Sequence, residues 1–379
     1  MPAKSDSMAK PGLTIPIFNT YISPAAADEV AKVLQSTFLS EGSIVKAFES
    51  RLAAELGLLN PVAVNSGTSA LHLALVLVGI APGDEVICPA QTFIATALTI
   101  MQERAVPVFA DINYGTGNID PRSIAEKITP KTRAIMAVHW GGYPCDMDEI
   151  CAIAKKHGLA VIEDAAHAPG ASYKGRAIGA ISDFTCFSFQ AIKHITTGDG
   201  GAVCCRDENN ARSAFAKRWF GIDRFNSRPS VLGERQYNVS AVGYKYHLND
   251  YAAALGLANL SGFKERMARR RAIAARYRKQ LGGVPGIRLF SETPDRESAY
   301  WLFGLHVERR LDFVRALLER GVTASVIHQR IDRNSVFGGL RGDLSDQARF
   351  DETQINIPIH DALTEEQAEH IIKSVSAGW

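Results

Sequence analysis

A lysine stands in an unusual setting in this chain. The run Phe187 to Val203, FSFQAIKHITTGDGGAV, leads from an apolar strand pattern to Ser188, and Lys193 follows five residues later. A Thr/Gly-rich turn and a second strand pattern come next. A segment this apolar and tightly turned does not suit a solvated surface lysine. Partial burial lowers the proton affinity of an amine, and a neutral amine can form an imine with a carbonyl. Ser188 could offer its hydroxyl to a phosphate. His194 reads as a packing or hydrogen-bonding residue with no catalytic role.

Two further segments could act with it. In VIEDAAHA, Val161 to Ala168, an apolar strand pattern ends on two acids, and His167 follows Asp164 by three residues. A carboxylate at the end of a buried strand is costly unless paired. A protonated pyridine nitrogen would be such a partner, and the charge would keep the ring an electron sink. The same aspartate also suits a plain helix cap. In NSGTSALHLAL, Asn65 to Leu75, a strand pattern meets a glycine turn and a helix begins near Thr68. Unpaired N–H groups, the positive end of the helix dipole and the hydroxyls of Thr68 and Ser69 make a phosphate cradle. A threonine cap with no ligand fits this segment equally well.

The elements that must position these residues alternate. Pro61–Val64, Glu85–Cys88, Pro107–Asp111, Ala134–His139, Ala160–Glu163, Phe184–Phe189 and Gly201–Cys205 read as strands. Thr68–Gly79, the region Ile94–Glu103 and Met147–His157 read as helices, the last closed by Gly158. Near-continuously apolar strands alternating with helices predict an α/β fold. Its mainly parallel central sheet would be flanked by helices and hold ligands at the carboxyl ends of its strands. From Arg218 to Gly243 periodicity fades and Gly, Pro, Asn and Arg accumulate, as in a functional or disordered loop. Asp250–Gln280 reads as one long helix, its basic run KERMARRR a solvated face. From Gly286 onward, short strands and helices suggest a smaller α+β domain. The division predicted is an arm at 1–12, a large domain at 13–255 and a small domain at 256–379.

Composition narrows the function. The 379 residues are 46% hydrophobic and 22% charged, with a formal net charge of +2. Such a balance favours neither nucleic acid nor a membrane surface. No apolar stretch is long enough to span a bilayer, and residues 1–12 lack a signal-peptide core, so a cytoplasmic protein is expected. The six cysteines include no CxxC pair and read as reduced core thiols; no metal site is expected.

In combination and order these segments resemble the sugar-aminotransferase family called DegT/DnrJ/EryC1/StrS, of the type I aspartate-aminotransferase fold. The matching segments are NSGTSALHLAL, PAQTFIATA, PVFADIN, HWGGYPCDMDEI, IEDAAHAPGASYKG, FSFQAIKHITTGDGGAV, GYKYHLNDYAAALGLANL and INIPIHDALTEEQ, spread over nearly the whole chain. The resemblance implies a pyridoxal 5'-phosphate enzyme with pyridoxamine 5'-phosphate as its intermediate form. Lys193 matches the lysine that binds the cofactor as a Schiff base, and Asp164 the partner of its ring nitrogen. Phe93 matches an aromatic stacked on the ring, and His167 a contact to the ring or its hydroxyl. Thr68, Ser69 and Ser188 match phosphate-binding positions, and His328 falls in a segment bordering the sugar site.

One position departs from the pattern. Where the family has Asn in GY-N-Y-R, reaching the phosphate of the neighbouring subunit, this chain reads Gly243-Tyr244-Lys245-Tyr246-His247. Lys245 could still neutralise a phosphate as a point charge. The implied assembly is a homodimer with shared active sites. The implied reaction moves an amino group from an amino acid, by family glutamate, to a nucleotide-linked keto-sugar in a ping-pong scheme. The turn Ile195–Gly201, ITTGDGG, leans toward a 4-keto-6-deoxy acceptor. Arg218, Arg224, Arg228 and Arg235 could meet a substrate diphosphate or belong to a polar loop. Two alternatives share the fold. A sugar 3-dehydratase would carry His in place of Lys193, and a non-catalytic regulator would not need the full cofactor set.

Overall fold

The computed structural model describes residues 14–224 and 227–379. The arm expected at 1–12 lies outside the described residues. A seven-stranded sheet forms the centre of the molecule. In chain order its strands are β1 (Pro61–Val64), β2 (Glu85–Pro89), β3 (Val106–Ala110), β4 (Thr132–Val138), β5 (Ala160–Asp164), β6 (Phe184–Ser188) and β7 (Gly201–Cys205). Across the sheet the order is β1-β7-β6-β5-β4-β2-β3. β7 runs antiparallel to both its neighbours, and the remaining pairs are parallel. Both faces are covered, which explains why these strands read as unbroken apolar runs.

The antiparallel strand serves the site. A parallel β6–β7 pair would need a long crossover; an antiparallel one needs only a short return. The return here, residues 189–200, therefore stays at the carboxyl end of the sheet and holds Lys193 there. The ends of β1, β2, β5 and β6 open on the same edge.

Local sequence fixes the helices that frame this edge. Helix α1 covers Ala26–Ser36, α2 Ser43–Leu56, α3 Gly67–Val78 and α4 Ala95–Gln102. α3 is capped by Ser66, whose hydroxyl accepts the Ser69 N–H at 3.0 Å, not by Thr68. It ends at Gly79, whose φ of 83° is left-handed. The helix expected over Asp250–Gln280 is two helices, Asp250–Leu260 and Phe263–Leu281. Gly262 between them takes a φ of 70°, which a continuous helix cannot contain. The first packs with α1 and α2 on the large core. The second passes from that core, at Phe263 and Met267, to a separate cluster beginning at Ile273. That cluster covers a small antiparallel sheet of β8 (Ile287–Leu289), β9 (Phe303–Val307) and β10 (Gln354–Ile357). The change of core thus falls inside the second helix, beyond residue 255. Among the described residues no helix is long and apolar enough to cross a membrane.

Candidate active site

The carboxyl ends of the strands surround a cavity of about 300 Å³. Gly67, Thr68, Phe93, Asp164, His167, Ser188, Lys193, Trp301 and His328 contribute to its wall. Residues scattered over the sequence from Gly67 to His328 therefore meet in one place.

One end of the cavity is a cradle built from glycines. Ser188 pairs in register with Gly201, which also faces Val64 on its other side. A Cβ on Gly201 would stand 2.5 Å from the Ser66 carbonyl oxygen, and one on Gly67 would stand 2.8 Å from the Ser188 Cβ. Only glycine permits this approach, and it brings the first turn of α3 against the Ser188 hydroxyl. Thr68 lines the cavity at that turn. Ser69 is buried and engaged, its hydroxyl donating to Asn65 Oδ1 at 2.6 Å. Exposed N–H groups and the helix dipole at this end suit an anion.

The other end holds the ionisable groups. Asp164, 6% exposed, closes β5. Its Oδ2 accepts the Thr96 hydroxyl at 2.7 Å, and its Oδ1 accepts the Ala166 N–H at 3.2 Å. No helix starts there, so it caps none. Burial pushes its carboxyl above the usual range, and the Thr96 hydrogen bond pulls the other way. Lys193 keeps partial exposure because its side chain lines the open cavity. Its amine is nonetheless desolvated and pushed down to about 7, against the opposing pull of Asp164. The Nζ lies 3.7 Å from the centre of the Trp301 ring.

An aromatic wall completes the enclosure. His167 stacks on Trp301 at 3.8 Å and 14°. Phe18 stacks on Trp301 at 5.0 Å. The Trp301 indole N–H donates to the Ile192 carbonyl at 3.0 Å, which fixes its ring beside the lysine. Burial, aided by Lys193 and His328, holds the His167 imidazole well below its ordinary value, so it is neutral. Its Nδ1 is buried with no hydrogen-bond partner among the described residues. At the mouth, His328 and the half-exposed Phe93 meet at 5.3 Å. Burial pushes His328 down to about 4, and Lys193 adds to that shift.

Not every expected residue joins this cavity. Lys245 lies outside it, its Nζ 3.3 Å from the centre of the Trp219 ring. Arg224 pairs with Glu41 at 3.2 Å and lines, with Arg235, a separate cavity of about 740 Å³. Arg228 lies exposed in a two-residue strand, Arg228–Pro229, paired with Arg235–Gln236. Arg218 corrects its expectation. It is 1% exposed, paired with Glu41 at 2.8 Å and Glu49 at 2.5 Å, and bonded to the Ala63 carbonyl. A guanidinium so enclosed borders the same separate cavity, but its charge is spent on anchoring α2 to β1. His194 is a core residue bonded to the Ala299 carbonyl at 2.8 Å. The cysteines are free thiols, and no metal-binding cluster occurs among the described residues.

Sequence reasoning missed Trp301 and Thr96. Trp301 enters just ahead of β9, far from Lys193 in the chain and with no local pattern to mark it. Thr96 lies in PAQTFIATA and was legible as a buried hydroxyl one turn beyond Thr92, but not as a partner of Asp164.

An anion cradle, a buried carboxylate, a near-neutral amine, an unsatisfied imidazole nitrogen and an aromatic face fit a flat phosphorylated pyridine aldehyde. The family model for the DegT/DnrJ/EryC1/StrS aminotransferase family matches residues 21–376. The spore coat polysaccharide biosynthesis protein SpsC of Bacillus subtilis (strain 168) is 38% identical over 92% of this chain and 92% of its own length. GDP-perosamine synthase of Escherichia coli O157:H7 is 32% identical over 96% of this chain and 98% of its own. The crystal structure of AtS13 from Actinomadura melliaura superposes with a TM-score of 0.93 at 38% identity, covering 98% of this chain and 100% of that one. The pyridoxal-phosphate form of Spr1654 from Streptococcus pneumoniae gives 0.89 at 29% identity, covering 96% and 98%. With the fold, the cofactor-shaped cavity and these relatives in agreement, the chain belongs to the DegT/DnrJ/EryC1/StrS family and is a sugar aminotransferase that uses pyridoxal phosphate.

Proposed function

We propose that this enzyme moves the amino group of glutamate to a nucleotide-linked 4-keto-6-deoxy sugar in two half-reactions at the cavity around Lys193. The observation that carries the reading is the meeting of Lys193, Asp164 and the glycine-lined cradle in one enclosure. The first turn of α3, Thr68 and Ser188 would hold the phosphate, with Ser69 supporting the turn. Asp164 would accept a hydrogen bond from the ring nitrogen, His167 would approach the ring or its hydroxyl, and Phe93 would face the ring. The cofactor, when bound, supplies a carbonyl for amine exchange and an electron sink.

Lys193 holds and returns the proton of the reacting carbon. An amine near pKa 7 is divided between base and acid at neutral pH, which suits a group that must do both. Trp301 and His167 exclude water from one side of that amine. Room for the acceptor lies beyond the mouth. A second cleft of about 370 Å³ shares Thr92, Phe93 and His328 with the first. The neutral His328 ring there can donate or accept a hydrogen bond to a sugar hydroxyl. The nucleotide link is supported by the relative named for making a GDP-sugar. The ITTGDGG turn supports the C4 position by its resemblance to enzymes acting there.

A homodimer fits the surface. Phe38, Val231, Leu232 and Val242 are exposed apolar side chains, and Val242 lies just before the exposed Lys245 in the chain. A second copy covering the Val242–Lys245 stretch could receive Lys245 at its phosphate cradle. The deciding experiment presents the pyridoxamine-phosphate form with nucleotide-linked 3-keto and 4-keto sugars. Return of the visible absorption of the lysine-bound cofactor is expected with 4-keto-6-deoxy sugars. Return with 3-keto sugars alone would overturn the assigned position, and no return with any would overturn the acceptor class.

A further inference from the structure

We propose that Thr96, with Thr92 behind it, is the positioning residue that fixes the orientation of the Asp164 carboxylate toward the cofactor's ring nitrogen and keeps that carboxylate charged; this rests on the role given to Asp164 above. Thr96 is 0% exposed and Thr92, at the cavity wall, is only 1% exposed, so both hydroxyls are shielded from bulk water. Each must find a protein partner or carry an unsatisfied donor. Thr96 lies in the first turn of α4, where a threonine hydroxyl commonly bonds back to its own helix. Thr99 does so, donating to the Thr96 carbonyl at 3.1 Å. Thr96 instead donates out of the helix to Asp164 Oδ2 at 2.7 Å. A hydroxyl has one hydrogen, and that bond uses it. The 2.7 Å contact between the Thr92 and Thr96 hydroxyls must therefore run from Thr92 to Thr96. The hydroxyls form a directed chain that ends on the carboxylate.

Two consequences follow. Each carboxylate oxygen then carries one donor, Oδ2 the Thr96 hydroxyl and Oδ1 the Ala166 N–H at 3.2 Å, so the carboxylate's rotation is fixed while lone pairs remain free for the ring. A chain of donors polarises along its length and strengthens the terminal bond, which favours the ionised carboxylate. Burial works in the opposite direction, and Thr96 is the chief group that offsets it. Without that hydroxyl the carboxylate becomes a stronger base and draws the shared proton away from the ring nitrogen. The ring is then less cationic and a poorer electron sink.

The test uses holoenzyme loaded with cofactor labelled with ¹⁵N at the ring nitrogen. Its chemical shift reports ring protonation whether or not the enzyme turns over. The parent and Thr96→Ser should show a protonated ring. Thr96→Val should move the resonance toward the neutral value. It should also lower kcat of the donor half-reaction about tenfold with little change in KM, the size of one hydrogen bond to a charged group. A Thr96→Val holoenzyme with the parent shift and the parent kcat overturns the proposal. Asp164→Asn separates the two ideas. If it neutralises the ring and Thr96→Val does not, only the relay is wrong. If Asp164→Asn also leaves the ring protonated, the role of Asp164 falls and the relay with it. Should Thr96→Val fail to fold, Thr92→Val carries the test. It should move the resonance the same way by less, and a parent-like shift and rate there overturn the relay.

Discussion

The floor of the cofactor cavity and the segment from Trp219 to Gly243 both gather charged and polar side chains, yet they are built in opposite ways. Under the floor, Asp164 and Thr96 are buried and tied by a short hydrogen bond, and so are Glu163 and His139 on the opposite face of the sheet. In the segment, residues 231–240 are all exposed, Leu232 at 88%, and the local pairing is a two-residue hairpin. The first region is organised before any ligand arrives. The second has surface to offer and little that fixes it. Chemistry at a reacting atom gains from the first arrangement, because dipoles already in place need not reorganise. Recognition of varied substrates, or of a second subunit, is served by the other.

The sharpest break in this comparison is Lys193→Ala. It removes the one amine that the described residues bring to the cavity wall and should abolish turnover. The cradle at α3 and the contacts of Asp164 remain, so cofactor should still bind without the covalent link. Absorbance of the dialysed protein would show a free-aldehyde form, and retained activity would end the assignment. Asp164→Asn comes next. It keeps shape and loses charge, so cofactor should bind and link to Lys193 while the donor half-reaction slows by orders of magnitude. A fully occupied variant reacting at the parent rate would make Asp164 a structural residue only.

The neighbouring acid sharpens the contrast from the other side of the sheet. Glu163 precedes Asp164 on β5, but alternation along a strand sends it to the other face. There it accepts from His139 at 2.7 Å, Ser182 at 2.5 Å and Thr185 at 3.0 Å, with no surface exposed. Burial pushes its carboxyl up, and these donors together more than offset it, leaving it below the usual range. A carboxylate depressed on folding contributes stability above its unfolded pKa. That contribution is lost as pH falls through the lower folded value. Glu163→Gln leaves donors facing an amide and should cost about 3 kcal/mol of stability. Acid unfolding of the variant should show a weaker pH dependence through the carboxylate range. Its kcat per folded, loaded molecule should match the parent. A variant of unchanged stability would mean that the network holds little of the fold.

Much of the floor was legible in the sequence and little of the segment was. Strands β1 and β7 fall where apolar runs and turns put them, and Met147–His157 is a helix with its closing Gly158. Asp164 and Ser188 end such strands and Thr68 and Lys193 come soon after them, so their placement at one edge is a matter of local pattern and sheet order. Trp301 was not legible, because its contact with Lys193 joins residues far apart in the chain. Arg218 was misread because its partners, Glu41 and Glu49, are far away in the chain. The broken helix at Gly262 was hidden by helix-favouring residues on either side. Pattern reports the faces an element offers, and long-range pairing decides which side chains meet.

The smallest expected effect belongs to the segment and tests the role left to its arginines. Arg228 and Arg235 sit on paired strands of one hairpin, exposed and without the enclosure that removes Arg218. If the acceptor's diphosphate approaches here, their charges act across solvent. Exposed ion contacts contribute about 0–1 kcal/mol, far less than a buried charged hydrogen bond. The double variant Arg228→Ala with Arg235→Ala should therefore raise KM for the nucleotide-linked acceptor a few-fold. It should leave kcat and the whole donor half-reaction unchanged, because neither residue lines the cofactor cavity. Added salt should weaken acceptor binding in the parent and have less effect in the variant. A large fall in kcat would instead place this hairpin against the reacting centre, as a neighbouring copy could. Unchanged KM at low salt would return both arginines to the status of a solvated loop.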